Sequence, residues 1–151
     1  MILKLGNNSI KDYYTIITYK SLTMGGRRHN IAIVDDEVDL ANLFVDVLNS
    51  EGFEAIAFSD PLSAMGHLNS HHHDFSMVIT DWRMPSMNGL ELAKLVQQMD
   101  KEIKIVVMSA FELDKDQLKE INKEDYLRKP MHVSKLIESV KKLLIEPQIM
   151  G

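Results

Sequence analysis

The run Ile31-Ala32-Ile33-Val34-Asp35-Asp36-Glu37 passes in one step from four apolar, largely β-branched residues to three acids. A wholly apolar run this short reads as a strand covered on both faces, as in parallel sheets whose crossover helices lie on either side. The acids end the strand and stand where its carboxyl end opens to solvent. Downstream, Leu40, Leu43, Phe44, Val47 and Leu48 recur at the spacing of one helical face. Glu51-Gly52 closes that helix with glycine where a left-handed cap is wanted.

The same alternation continues along the chain. Residues 53–58 form a second strand candidate, and Ser59-Asp60-Pro61 opens a helix with a capping residue ahead of proline. That helix buries Ala64, Met65 and Leu68. Residues 75–80 form the third strand, ending at Asp81, and a loop over 82–88 leads to a helix carrying Leu92, Leu95, Val96 and Met99. Residues 103–108 form the fourth strand, before Ser109-Ala110. A short polar helix over about 114–121 follows, held by little beyond Leu118 and Ile121. Residues 125–128 form a brief fifth strand before Lys129-Pro130, and Val133, Leu136, Ile137, Val140 and Leu144 mark a last helix. Strands and helices in strict alternation imply an α/β domain: a five-stranded parallel sheet with right-handed crossovers and helices on both faces.

Composition narrows the function. The chain has 151 residues, is 45% hydrophobic and contains no cysteine. It is long enough for one domain and one core, which excludes a multidomain enzyme. Disulfides, thiol nucleophiles and cysteine-ligated zinc are excluded with the cysteines. No apolar run approaches the roughly 20 residues that cross a bilayer, so a membrane-crossing receptor is excluded and a cytoplasmic setting is expected. Residues 1–29 hold five basic groups and one acid, whereas the rest of the chain holds 12 basic and 21 acidic groups, a net of -9. So acidic a body disfavours nucleic acid as a partner and suits a hard cation if carboxylates converge.

In open α/β sheets ligands bind beyond the carboxyl ends of the strands. The residues at those ends are Asp35 and Asp36, Asp81, Ser109 and Lys129. Three carboxylates in one crevice repel one another and raise their pKa values. Lys129 supplies one positive charge, and an oxygen-only donor set leaves room for Mg2+, with Mn2+ as a substitute.

Five separated motifs then fit one family: Val34-Asp35-Asp36-Glu37, Asp81-Trp82-Arg83-Met84-Pro85-Ser86-Met87-Asn88-Gly89, Met108-Ser109-Ala110, Asp125-Tyr126-Leu127 and Lys129-Pro130. From about Asn30 to Ile145 the chain resembles the receiver domain of two-component response regulators, and the second motif reproduces the family's D-x-x-M-P-x-M-x-G in full. The resemblance implies a flavodoxin-like fold with strand order 2-1-3-4-5. It implies that Asp81 is the phosphoacceptor for a phosphohistidine on a sensor histidine kinase or phosphotransfer protein. Asp36, Asp81 and the main-chain carbonyl of Arg83 would ligate Mg2+, with Asp35 at or just behind the metal shell. Lys129 and Ser109 would contact the phosphoryl group, Ala110 would keep the approach open, and the Lys129-Pro130 bond would be cis. Ser109 and Tyr126 would act as the switch, altering the face made by the fourth helix, fifth strand and fifth helix. That face would be read by a downstream protein, and family receivers often form homodimers through it.

Two positions depart from the commonest pattern. Met131 follows Pro130 where phenylalanine is frequent, a packing variation. Arg83 and Phe111 lie two residues past Asp81 and Ser109, where the family tunes self-dephosphorylation. An apolar Phe111 cannot orient attacking water, so a long-lived phosphoryl group is expected.

Each residue also has a plainer reading. Taken singly, Asp36, Asp81 and Lys129 could be solvated loop charges, Ser109 a turn residue and Tyr126 ordinary strand packing. The run His71-His72-His73, with His67 nearby, falls in a predicted loop and reads as solvated rather than metal-binding. Trp82 is a structural neighbour of the site and a fluorescent reporter. A phosphatase using a strand-end Asp nucleophile with Mg2+ would want a second acid where Arg83 stands. A pseudo-receiver that binds partners without phosphorylation is the other alternative. No glycine loop for a nucleotide follows the first strand.

The ends are assigned by the same logic. Residues 1–29 are expected to be an extension outside the receiver, and Met24 before Gly25-Gly26-Arg27-Arg28 offers an alternative start. The receiver is expected over 30–146. Residues 147–151 leave no room for an output module, so a stand-alone regulator is expected.

Overall fold

A computed structural model describes residues 30–120 and 126–145. Residues 1–29, 121–125 and 146–151 and the side chain of Leu118 lie outside the described residues, and with them the expectations of an N-terminal extension over 1–29 and a tail over 147–151 and those placed on Ile121 and Asp125. No helix among the described residues is long and apolar enough to cross a membrane.

Five strands, β1 (Asn30–Val34), β2 (Glu54–Phe58), β3 (Phe75–Asp81), β4 (Lys104–Ser109) and β5 (Tyr126–Arg128), form one sheet. All pairings are parallel and the order is β2-β1-β3-β4-β5. The helices between and after them are α1 (Val38–Ser50), α2 (Pro61–His71), α3 (Gly89–Met99), α4 (Lys115–Lys119) and α5 (Val133–Leu144).

Alternate residues of the central strands serve two separate cores. Ile31, Ile33, Met77, Ile79, Val106 and Met108 face Ala41, Phe44 and Leu48 of α1 and Leu136, Val140 and Leu144 of α5. Ala32, Val34, Val78, Ile105 and Val107 face Ala64 and Leu68 of α2 and Leu92, Ala93 and Val96 of α3. That is why β1 reads as a continuous apolar run from Ile31 to Val34, and why β3 is buried along its whole length although it carries Ser76 and Thr80. Met131, after the cis Lys129-Pro130 bond, packs against the first core.

The caps follow local chemistry. The Asp60 carboxylate accepts from the Ser63 amide at 3.1 Å, ahead of Pro61. Asn88 and Glu91 form a reciprocal capping box at the start of α3. Gly52 has φ 93°, the left-handed turn that releases the chain from α1 into β2.

Four expectations need correction. Leu43 is 48% exposed, because the buried stripe of α1 runs through Ala41, Phe44 and Leu48. One residue is about 100° around the helix axis, and that takes Leu43 off the stripe. Val133 and Leu95 are likewise on the outer flanks of α5 and α3. The histidine run is not a loop: His71 ends α2, and His72–Asp74 is a 3-10 turn leading into β3.

Candidate functional site

β1 and β3 are adjacent and in register, with Val34 beside Thr80, so Asp35 and Asp81 emerge side by side. Asp35, Asp36 and Asp81 each place a carboxylate oxygen within 4.8 Å of the others. Asp35 is fully buried. Its Oδ1 accepts the Glu37 amide at 2.9 Å and its Oδ2 accepts Lys129 Nζ at 2.7 Å. The same ammonium lies 3.4 Å from Asp81 Oδ1 and 4.0 Å from Glu37 Oε1. One cation therefore serves two buried carboxylates.

The electrostatics follow from that shortage. Burial pushes the Asp81 carboxyl above its usual range, Lys129 pulls it down, and Asp35 pushes it up again; the net direction is upward. Burial alone would lower the Lys129 ammonium, but the Asp35 hydrogen bond and the charges of Asp35 and Asp81 outweigh it and raise it. For Asp81, the folded chain binds more protons than the unfolded chain above the ordinary pKa of 3.8. Its contribution to stability is therefore greatest below that value and is lost as pH rises through the raised folded pKa.

Lys129→Met is expected to destabilise the ion-free protein at neutral pH by about 3 kcal/mol, because it strands Asp35 and Asp81 without a counter-charge. The deficit should shrink on acidification, as protonation removes the repulsion. Urea unfolding at neutral pH and near pH 4 checks both the size and the direction.

Backbone bonds hold the surrounding loops. The Trp82 amide donates to the Met108 carbonyl at 2.7 Å, and the Lys129 amide donates to the Ser109 carbonyl at 2.8 Å. β3, β4 and the Lys129 turn are thereby laced together behind the carboxylates. Ser109 is buried at the end of β4, one residue past the partner of Asp81, and its Oγ accepts the Phe111 amide at 3.0 Å. A hydroxyl that accepts one bond keeps its hydrogen to donate. Ala110 beside it is exposed.

Tyr126 donates its hydroxyl to the Phe111 carbonyl at 3.0 Å, while its ring packs at the edge of the second core. The Arg83 guanidinium lies 4.0 Å over the centre of the Phe111 ring. Arg83, Phe111 and Tyr126 thus form a connected strap beside the acidic crevice, and Phe111 itself is 51% exposed.

Two contributions were missed in the sequence reading. Glu37 approaches Lys129, and its place directly after Asp36 was the signal for it. Gly89 lies against the Asp81 peptide: a Cβ there would collide with the Asp81 carbonyl oxygen and sit 3.1 Å from Trp82 Cα. Its amide donates to the Trp82 carbonyl at 2.8 Å. The last residue of the D-x-x-M-P-x-M-x-G motif is small because α3 starts on top of the Asp81 peptide.

The sheet order β2-β1-β3-β4-β5 thus carries its acids at the carboxyl ends of β1 and β3. The model of the response regulator receiver domain matches residues 31–141, and the chain belongs to that family of two-component signalling proteins. Sporulation initiation phosphotransferase F of Bacillus subtilis is 31% identical over 116 residues, covering 76% of this chain and 92% of its own. The polar-differentiation response regulator DivK of Brucella ovis is 28% identical over 119 residues, covering 76% and 95%. Among solved structures, the response regulator TrrA of Thermotoga maritima in complex with Mg2+-BeF is 29% identical with a TM-score of 0.68, covering 77% of this chain and 99% of that one.

Proposed function

We propose that this receiver accepts a phosphoryl group on Asp81 and uses it to switch the surface of α4, β5 and α5. The observation that carries the reading is the cluster of Asp35, Asp36 and Asp81 at the carboxyl ends of β1 and β3, with the Lys129 ammonium that follows β5 reaching Asp35 and Asp81. A carboxylate oxygen of Asp81 attacks phosphorus, the P–N bond to a partner's histidine breaks, and the imidazole leaves with its electron pair and takes up a proton. The donor is a sensor histidine kinase or a phosphotransfer protein. The domain catalyses its own phosphorylation and dephosphorylation and no other reaction.

An oxygen-only cluster with more negative charge than Lys129 can neutralise fits Mg2+, and Mn2+ in its place. Asp36, Asp81, Asp35 and the Arg83 carbonyl would hold the ion, which supplies charge neutralisation to the phosphoryl oxygens when bound. Lys129 donates to a phosphoryl oxygen, and Ser109 donates the hydrogen its hydroxyl still has. Ala110 keeps the approach clear. Drawing Ser109 toward the phosphoryl group pulls on its bond from the Phe111 amide, and the Phe111 carbonyl is what anchors Tyr126. Release of that anchor lets the ring turn inward and changes the face offered to a downstream protein or to a second copy of the chain. The setting is cytoplasmic.

Trp82, the single tryptophan, adjoins the acceptor and is buried. Its fluorescence is expected to change on addition of Mg2+ and again on addition of acetyl phosphate. A protein whose signal ignores both would refute the reading. With Phe111 unable to hold a water in line, the phosphoryl group is expected to persist for minutes or longer. Phe111→Asn should shorten that lifetime several-fold, measured by loss of acid-precipitable label after the donor is removed.

A further inference from the structure

At the opposite end of the sheet from Asp81 lies a second group of metal-ligating side chains. His72 and His73 occupy the 3-10 turn that enters β3, and Asp100 caps α3 just before β4. One ligand atom from each of the three lies within 4.8 Å of the others. His72 Nδ1 is 3.0 Å from Asp100 Oδ2, and the two histidine rings are 4.0 Å apart between centroids. The Asp100 side chain is 8% exposed and that of His72 23%. Asp100 Oδ1 also accepts the Glu102 amide at 3.1 Å, which orients the carboxylate.

We propose that His72, His73 and Asp100 bind one borderline divalent transition-metal ion of the Zn2+ class. Two imidazoles and one carboxylate suit Zn2+, Co2+ or Ni2+. Mg2+ prefers oxygen donors, so the acidic crevice and the histidine site differ in the ion they select. In a tetrahedral zinc shell with bonds of about 2.0 Å, neighbouring ligand atoms stand about 3.3 Å apart. The His72–Asp100 pair, at 3.0 Å, is close to that spacing already, and a ligand atom of His73 lies within 4.8 Å of both. Three protein ligands leave a fourth position for water. His67 and His71 are used otherwise: their rings stack at 4.4 Å, and His71 Nδ1 pairs with the His67 carbonyl at 3.1 Å. The bound ion would staple the entrance of β3 to that of β4, joining the end of α2 to the end of α3.

The plainer reading is an ion pair between His72 and Asp100 alone, in which His73 has no part. Isothermal titration of the chelator-stripped full chain with Zn2+, in saturating Mg2+, separates the two. One equivalent is expected to bind with micromolar affinity, and Co2+ should give the visible absorption of a tetrahedral site. His73→Ala is exposed and should leave the thermal midpoint in chelator unchanged, yet weaken Zn2+ binding at least about tenfold. His71→Ala, and Asp36→Asn combined with Asp81→Asn, should bind Zn2+ as the parent does. Three results would overturn the proposal: no Zn2+ binding by the parent, binding by His73→Ala within twofold of the parent, or loss of the Zn2+ equivalent in the acidic-crevice variant.

Discussion

Asp81→Asn is expected to reduce phosphoryl incorporation from acetyl phosphate or a phosphorylated kinase to the background of the assay. An amide oxygen is a poor nucleophile and gives no stable acyl phosphate, and no other described carboxylate has the same placement. Asp35 is fully buried with both oxygens engaged, by Lys129 and by the Glu37 amide. Asp36 is exposed, whereas Lys129 pairs with Asp35 at 2.7 Å and with Asp81 at 3.4 Å. Loss of label will not reflect loss of fold. The substitution removes a buried carboxylate whose ionisation is opposed by burial and by Asp35, and Lys129 keeps its 2.7 Å bond to Asp35. The variant should therefore unfold at a higher urea concentration than the parent at neutral pH without Mg2+. That advantage should narrow on acidification, as the parent carboxyl, its pKa raised by burial, takes up its proton. Label that survives in the Asp81→Asn protein would remove Asp81 from its role.

Gly89→Ala is expected to destabilise the domain by about 3 kcal/mol, at the upper end for overpacking by one methyl group. The added Cβ meets the Asp81 carbonyl oxygen and the Trp82 Cα, both backbone atoms that cannot turn aside as a side chain would. Either α3 lifts at its first turn, breaking the Gly89–Trp82 bond, or the Asp81 peptide shifts and carries the acceptor with it. Phosphorylation should fall along with stability. Gly66→Ala is the matched control. It lies within α2, where a Cβ meets nothing within 4 Å, and alanine should stabilise the helix by about 0.5–1 kcal/mol. Chemical unfolding of the two variants tests the contrast in sign.

The legibility of the chain differed by element for physical reasons. β1 and β3 were readable because both their faces are buried, so every residue from Ile31 to Val34 and from Phe75 to Val78 had to be compatible with burial. The start of α2 was readable because Asp60 and Pro61 act within a few residues of themselves. α1 was readable as a helix but not in its rotation. Leu43 satisfies a periodic pattern as well as Ala41 does, and only the position of the sheet beneath tells them apart. The histidine turn failed for a similar reason: polarity suggested a loop, whereas backbone bonding carries the chain straight from α2 into β3.

By itself the sequence determined the alternation of strands and helices, the parallel sheet and the set of residues at its carboxyl ends. Those depend on local period and on which residue ends each run, quantities written along the chain. Only the tertiary structure decided that one ammonium serves Asp35 and Asp81 together, that Arg83 lies on Phe111 and Phe111 holds Tyr126, and that Gly89 rests on the Asp81 peptide. It also decided that Asp100 meets His72 across 28 residues of chain. These are distances between segments far apart in sequence, set by how twisted strands and helices pack, and no local pattern encodes them.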